Sequence, residues 1–277
     1  MSTPRGRAPW IGLGLALLVV AAAVSVPPLA GWEVWSRAPR SLKDLAVPPL
    51  HGYWEPKLLG PGTLPAVVIA LLGWRFGPGL AERLSWGRML LAAYGVGLAW
   101  LLALAFVDGS SGISRVLGNE YEYLPTARGV TDVPVLLEGY VDRIPIDSPG
   151  AWPTHVAGHP PGALLFFVLL ARVGLGGSFA AGLVVAAIAA TTALAVLITV
   201  RALGSEEMAR RAAPFLVLAL AAVFMAVSGD ALFGAVAAWG LACLALGARA
   251  SGGRLVAWSL AAGLLLGWCV MSSYGLP

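Results

Sequence analysis

The sequence predicts an all-α fold, a polytopic transmembrane bundle of about seven or eight apolar helices. Of its 277 residues, 58% are hydrophobic and only 12% are charged, a composition typical of membrane proteins and not of water-soluble domains. Apolar runs recur along the chain, and a helix needs roughly 20 such residues to cross about 30 Å of hydrocarbon. Because lipid offers the backbone no hydrogen-bond partner, every segment that faces lipid must be helical.

A positively charged start precedes the first apolar run. Arg5 and Arg7 come before residues 9–31, a pattern found both in cleaved signal peptides and in uncleaved first helices. The small residues 21–23 suit a cleavage site. The run is longer than a usual signal core, however, which favours an uncleaved first span.

Basic residues in the loops predict which side of the membrane each loop occupies. A second apolar run starts at Thr63 and reaches Trp74 or Gly79, and a third covers residues 89–107. Between them lies a basic loop with Arg75, Arg83 and Arg88. The positive-inside rule then places this loop and the N-terminus in the cytoplasm of a multi-pass plasma-membrane protein. The net charge of +4 is therefore interpreted as topology information, and no nucleic-acid partner is expected.

The chain divides into three regions on this basis. Residues 1–107 form an N-terminal membrane region of three helices, residues 108–159 an acidic extracytoplasmic loop, and residues 160–277 the C-terminal membrane helices. The loop holds half of the chain's 14 acidic residues.

The second half of the chain presents a parity problem. Arg201, Arg210 and Arg211 predict a cytoplasmic loop at 201–212, but two apolar runs, 160–175 and 178–200, separate it from the outer loop. An outer loop and an inner loop must be separated by an odd number of crossings. Either the 160–175 element is short or re-entrant and returns to the outer side, or the Arg-rich loop breaks the rule. Arg172 shortens the first run, which favours a dipping or half-buried helix at 160–175. Three further runs follow, at about 213–228, 231–247 and 255–271.

One part of the outer loop has helical periodicity. Apolar residues recur on one face from Val133 to Ile144, with Asp132 as a predicted N-cap and Pro134 in the first turn. The pattern predicts an amphipathic helix of about three turns. It lies flat at the membrane interface, or packs against the protein's own outer surface, or does both.

The loop also holds two candidate catalytic carboxylates, Glu120 and Glu122. In an extended segment both point the same way, whereas in a helix they diverge and only one faces a site. Either could act as a general base that takes the proton from an acceptor hydroxyl. The alternative is an ordinary solvated acidic loop.

Two histidines close the loop. His155 and His159 are four residues apart, as metal-ligand pairs on a helix are, but Pro160 and Pro161 disfavour helical geometry there. No cofactor is indicated, and a divalent metal stays an open possibility. We favour a second interpretation, in which His159 orients the start of the next helix, where backbone N–H groups can hold a phosphate.

Three further charged residues are candidates for the site. Asp230 stands between two apolar runs, where a carboxylate is costly unless the turn reaches the surface. Arg128 and Arg143 of the loop could bind a phosphate, although ion pairs with neighbouring acids are the default expectation for both.

These features together resemble the GT-C superfamily, polytopic glycosyltransferases that use polyprenyl-phosphate sugars and include protein mannosyltransferases and aminoarabinose transferases. The resemblance covers about residues 105–275. It rests on the acidic pair Glu120 and Glu122, the helix entry His159–Gly162, and Asp230. The small and basic segments 201–204 and 209–212 resemble a loop between later helices of that family.

The resemblance implies a function. A sugar would move from a polyprenyl-phosphate donor to a lipid, glycan or protein hydroxyl at the outer membrane face. Glu120 or Glu122 would be the base, Asp230 would orient the acceptor, and His155, His159, Arg128 and Arg143 would bind substrate. Family members continue past the point where this chain ends, so we expect either a truncated product or one part of a longer protein.

A non-catalytic membrane protein, such as a transporter subunit or an envelope-assembly scaffold, is the alternative. A transporter should carry polar groups near the bilayer centre. The runs 178–200 and 213–247 contain few such groups, which weighs against transport but not against a scaffold.

Overall fold

A computed structural model describes residues 8–31 and 57–275 of the chain. These residues are helical wherever they are regular, with no strand among them, which confirms the predicted all-α fold. The contacts divide the chain into two units, residues 1–56 and 57–277. In the first unit, helix α1 (Ala8–Leu29) contains an 18-residue apolar stretch long enough to cross a membrane.

Six helices in the described part of the chain are long and apolar enough to span a bilayer, so the protein is membrane-embedded. Besides α1 they are α2 (Thr63–Arg83), α3 (Trp86–Ala105), the continuous span of α9 (Ser178–Ala189) and α10 (Thr192–Leu203), α13 (Gly229–Gly247) and α14 (Gly252–Val270). Large apolar side chains remain exposed on these helices, as expected where lipid takes the place of water.

Short helices build the segment between α3 and α9. In the acidic loop they are α4 (Ser111–Gly118), α5 (Tyr123–Arg128), α6 (Val133–Glu138) and α7 (Thr154–Ala157), and α8 (Pro161–Arg172) follows the loop. The connection from α10 back to α13 consists of α11 (Glu206–Val217) and α12 (Ala222–Met225). A buried cluster joins α5 to α8 and to the start of α13 through residues such as Leu124, Phe167 and Phe233.

Contacts between helix termini distinguish two ends of the bundle. At one end, here called the basic end, Arg210 of α11 donates to the carbonyl oxygen of Leu84 after α2, and Arg201 near the end of α10 lies over the Trp86 ring at the start of α3. At the other end, here called the acidic end, the start of α13 packs against the acidic loop, since a Cβ on Gly229 would contact Tyr123. The spanning helices α2, α3, α9–α10, α13 and α14 each run from one end to the other.

Helix α8 does not follow this pattern. Near its start, a Cβ on Gly162 would overlap the backbone of Met271 at the acidic end. At its last residue, Arg172 donates to the carbonyl oxygen of Thr131 in the acidic loop, at 3.0 Å. Both termini of this 12-residue helix therefore lie at the acidic end. This arrangement agrees with the dipping helix expected from the parity of the basic loops.

The prediction of a loop at 201–212 is wrong, because this segment is almost entirely helical. Helix α10 continues to Leu203 and α11 begins at Glu206, which leaves only two residues between them. Ser205 caps α11 by accepting from the Met208 N–H at 3.1 Å. Acidic residues one turn before arginines then add i,i+4 ion pairs.

The amphipathic helix predicted from Val133 is shorter than expected. Asp132 is its N-cap, as predicted, and accepts from the Val135 N–H at 3.1 Å. Helix α6 ends at Glu138, however, and a 3-10 turn at Val141–Arg143 follows. The break falls at Gly139, because glycine has a low helix propensity.

Candidate active site

A tight turn gives the two glutamates of the acidic loop different surroundings. The side-chain oxygen of Asn119 accepts from the Tyr121 N–H at 2.8 Å, and the backbone carbonyl oxygen of Asn119 accepts from the Glu122 N–H at 3.1 Å. Glu120 lies exposed on this turn. Glu122 precedes α5 in extended geometry and is 9% exposed, the one buried carboxylate in the described part of the chain.

The Glu122 carboxyl has a histidine neighbour and is largely shielded from solvent. Its Oε1 atom is 3.7 Å from Nε2 of His155, whose side chain is about half exposed. Burial raises the pKa of the Glu122 carboxyl, the charge of Asp230 raises it further, and His155 and His159 act in the opposite direction. A carboxyl that keeps its proton to higher pH gives a stronger base once it ionises.

Tyr123 forms the hydrophobic wall behind this carboxyl. Its buried ring stacks on Phe167 of α8 at 5.3 Å and meets the His159 ring edge-on at 5.7 Å. Helix α13 approaches closely here, because a Cβ on Gly229 would lie 3.3 Å from the tyrosine ring. Burial and the adjacent Glu122 charge raise the pKa of Tyr123 well above its usual range, so the phenol stays neutral.

His159 is held by a backbone contact from the segment that follows α14. Its Nδ1 atom lies 3.0 Å from the carbonyl oxygen of Ser272. Because a carbonyl oxygen can only accept, Nδ1 carries the hydrogen, and Nε2 of the neutral ring is left as an acceptor. The two histidine rings are 6.5 Å apart and nearly parallel.

A second aromatic layer fixes the segment between the histidines. The buried Tyr140 hydroxyl lies 2.8 Å from the carbonyl oxygen of Val156 and 3.0 Å from that of His159. Trp152 in turn donates its indole N–H to the carbonyl oxygen of Tyr140 at 2.8 Å. Burial raises the pKa of Tyr140 to about 12, so its hydroxyl remains a donor at neutral pH.

Asp230 lies exposed in the first turn of α13, at the acidic end. The preceding Ser228 caps the helix by accepting from the Ala231 N–H at 3.1 Å. Asp230 is close enough to Glu122 for its charge to act on that carboxyl. The structure thus brings Glu122, His155, His159 and Asp230 together from three separate segments.

The guanidinium groups of the two candidate arginines, Arg128 and Arg143, already form hydrogen bonds within the protein. Arg128 donates to the carbonyl oxygen of Gly176 and to Ser178 Oγ, both at 2.8 Å. Arg143 donates to the carbonyl oxygen of Gly150 at 2.6 Å and lies 3.3 Å over the Trp152 ring. Neither pairs with an acid within residues 8–31 and 57–275, so the expected ion pairs are wrong for both.

The described residues offer no group of three or more His, Cys, Asp or Glu side chains arranged to hold a metal ion. His155 belongs to the four-residue α7, and His159 follows it beyond the helix end. The two imidazoles therefore do not share one helical face, in keeping with the effect expected of the two prolines.

Sequence reasoning missed three contributors to the site, namely Tyr123, Phe233 and the Ser272 carbonyl. The first two carried a weak signal, since each adjoins a candidate carboxylate or lies one turn from it. The third carried none, because a backbone carbonyl 113 residues away leaves no mark on the local sequence. Comparison of the chain with protein-family models, with curated proteins and with solved structures finds no match to any of them.

Proposed function

We propose that this chain is a glycosyltransferase of the plasma membrane, with its N-terminus in the cytoplasm. It would move a sugar from a polyprenyl-phosphate carrier to a hydroxyl of a lipid, glycan or protein at the outer face. The observation that carries the proposal is Glu122, a buried carboxylate beside His155 at one end of a transmembrane bundle. The polyprenyl-phosphate donor follows from the GT-C resemblance.

The proposed reaction is a direct displacement at the anomeric carbon. The acceptor oxygen forms a bond to that carbon while the bond from the carbon to the phosphate oxygen breaks. Polyprenyl phosphate leaves with the bonding electron pair, and the acceptor proton passes to the Glu122 carboxylate. One displacement inverts the anomeric configuration, so the product has the opposite anomeric configuration to the donor.

The neighbours of Glu122 suit supporting roles in this step. The Nε2 atom of His155 can donate to the carboxylate and hold its orientation, which the distance of 3.7 Å permits after a small movement. The exposed Asp230 can bind acceptor hydroxyls. His159, at the start of α8, would donate to the departing phosphate when its ring is protonated.

Several candidates from the sequence are left out of this mechanism. Arg128 and Arg143 already donate to backbone carbonyls, so they are assigned to loop structure and not to the donor phosphate. Glu120 is exposed and serves better as a control than as a base.

Transfer activity of the purified protein in proteoliposomes tests the proposal, with polyprenyl-phosphate sugars as donors and release of polyprenyl phosphate as the readout. Glu122→Gln should lower the rate about 100-fold or more, the usual loss for a general base. The matched control Glu120→Gln, two residues away on the same turn, should keep nearly the wild-type rate. Equal rates for wild type and Glu122→Gln would instead support a non-catalytic scaffold.

A further inference from the structure

A second concave site lies at the basic end of the bundle, opposite the end that holds Glu122. It has a volume of about 540 Å³ and is formed by α3, α10, α13 and α14. Two tryptophans, Trp86 and Trp258, and three arginines, Arg201, Arg249 and Arg254, line it. None of these residues belongs to the candidate active site.

The lining of this pocket carries an excess of positive charge. Three arginines and no aspartate or glutamate line it. Arg201 is partly neutralised by Glu206, at 2.8 Å, and lies 4.4 Å over the Trp86 ring. Within the described part of the chain, Arg249 and Arg254 pair with no carboxylate. Two guanidinium groups are thus available to an anion.

The position of the pocket favours a ligand that is both anionic and apolar. It opens where α10 and α13 end and α14 begins, so one wall continues into membrane-spanning helices. Ile198 and Leu246 line its inner side with apolar surface. Tryptophan side chains are suited to the headgroup zone of a bilayer, where one edge is wet and the rest is apolar.

We propose that this pocket binds an anionic glycerophospholipid, with Arg249 and Arg254 on the headgroup phosphate and the acyl chains running along α10 and α13. Guanidinium groups form forked hydrogen bonds with phosphate oxygens. A headgroup with a net negative charge is favoured over a zwitterionic one, because the two arginines repel the cation of the zwitterionic headgroup. The proposal is independent of the glycosyltransferase assignment, since it concerns the opposite end of the bundle.

Native mass spectrometry of the detergent-solubilised protein tests the proposal, with phosphatidylglycerol and phosphatidylcholine titrated separately. The first phosphatidylglycerol should bind more tightly than phosphatidylcholine. The double variant Arg249→Gln with Arg254→Gln should lose about tenfold in affinity for phosphatidylglycerol, since each cation near the surface contributes about fivefold or less. Its affinity for phosphatidylcholine, whose cation opposes the arginines, should fall by less than its affinity for phosphatidylglycerol, and an equal fall for both lipids would contradict selection by net charge.

A charge-matched control separates a built pocket from general attraction to anionic lipid. Arg88 and Arg211 are exposed arginines at the same end that do not line the pocket. Their double replacement by Gln removes the same charge and should leave phosphatidylglycerol affinity within about twofold of wild type. Equal losses in the two double variants would overturn the proposal.

Two further outcomes keep the test decisive. Glycerol phosphate, which has the headgroup chemistry without acyl chains, should compete only weakly, and full displacement of the lipid by glycerol phosphate would contradict a lipid site. If the double variant does not fold, Arg254→Gln alone replaces it, because this exposed residue lies in the first turn of α14. An unchanged affinity in that folded variant would also reject the proposal.

Discussion

Replacing Arg210 with Gln should destabilise the bundle far more than the same change at its neighbour Arg211. Both arginines lie on α11, and each pairs with a glutamate four residues earlier, at 2.6 Å and 2.7 Å. They differ in burial, because the Arg210 side chain is 16% exposed and that of Arg211 is 73% exposed. They also differ in what else they bind.

Arg210 caps the C-terminus of α2 from the neighbouring helix. Its Nη1 atom donates to the carbonyl oxygens of Ala81 and Leu84, at 2.6 Å and 2.7 Å. The last carbonyls of a helix have no partner within it, and a cation there also interacts favourably with the helix dipole. Losing the guanidinium leaves two partly buried acceptors unpaired, at roughly 1–3 kcal/mol each. Glu206 keeps Arg201 as a partner at 2.8 Å, so no lone charge is created.

We therefore expect Arg210→Gln to lower the free energy of unfolding by about 2–6 kcal/mol. The exposed pair of Arg211 should contribute under about 1 kcal/mol. Unfolding of the purified protein in mixed micelles, followed by circular dichroism against the mole fraction of denaturing detergent, measures both. Similar losses for the two variants would refute the reasoning, because burial and capping would then make no difference.

Three further predictions concern packing and protonation. Gly182→Ala should lower the free energy of unfolding by about 1–3 kcal/mol, because the new Cβ would overlap the carbonyl oxygen of Ile113. The control Gly263→Ala adds a Cβ in open space on α14, so in the same unfolding assay it should leave stability unchanged or raise it. Tyr140→Phe should lower the free energy of unfolding by about 1–3 kcal/mol, since the carbonyl oxygens of Val156 and His159 lose the hydroxyl donor that they share. An unchanged melting temperature would contradict this prediction. Burial raises the pKa of the Glu122 carboxyl, so the native state keeps a proton that the unfolded state loses above about pH 4.3, and wild-type stability falls as pH rises above that value. Glu122→Gln cannot ionise, so its stability relative to wild type should increase as pH rises above about 4.3, and a pH-independent difference would reject this account.

The transmembrane helices were predictable because lipid leaves the backbone no alternative to internal hydrogen bonding. Their polar ends were harder to place, since hydropathy fades where charged residues begin. Helix α11 starts at Glu206, seven residues before the apolar run at 213–228 that predicted it. Its capping serine and i,i+4 charge pairs supplied a local signal that hydropathy alone does not register.

The residue types of the candidate site were predictable, but their arrangement was not. Polar residues at the edge of a span drew attention to Glu120, Glu122, His155 and His159. Which glutamate is buried depends on a turn made by the Asn119 side chain and on packing from α8 and α13. The carbonyl partner of Arg128 could not be read from neighbouring residues, because it belongs to a segment 48 residues away.

The contact between His159 and the Ser272 carbonyl has a consequence for biosynthesis. The two residues are 113 positions apart, and the second follows α14. Chains fold progressively from the N-terminus while they are synthesised. A nascent protein inserted only as far as α13 lacks this acceptor, so the His159 imidazole has no fixed tautomer. The segment that follows α14 must therefore be in place before the His159 tautomer is fixed.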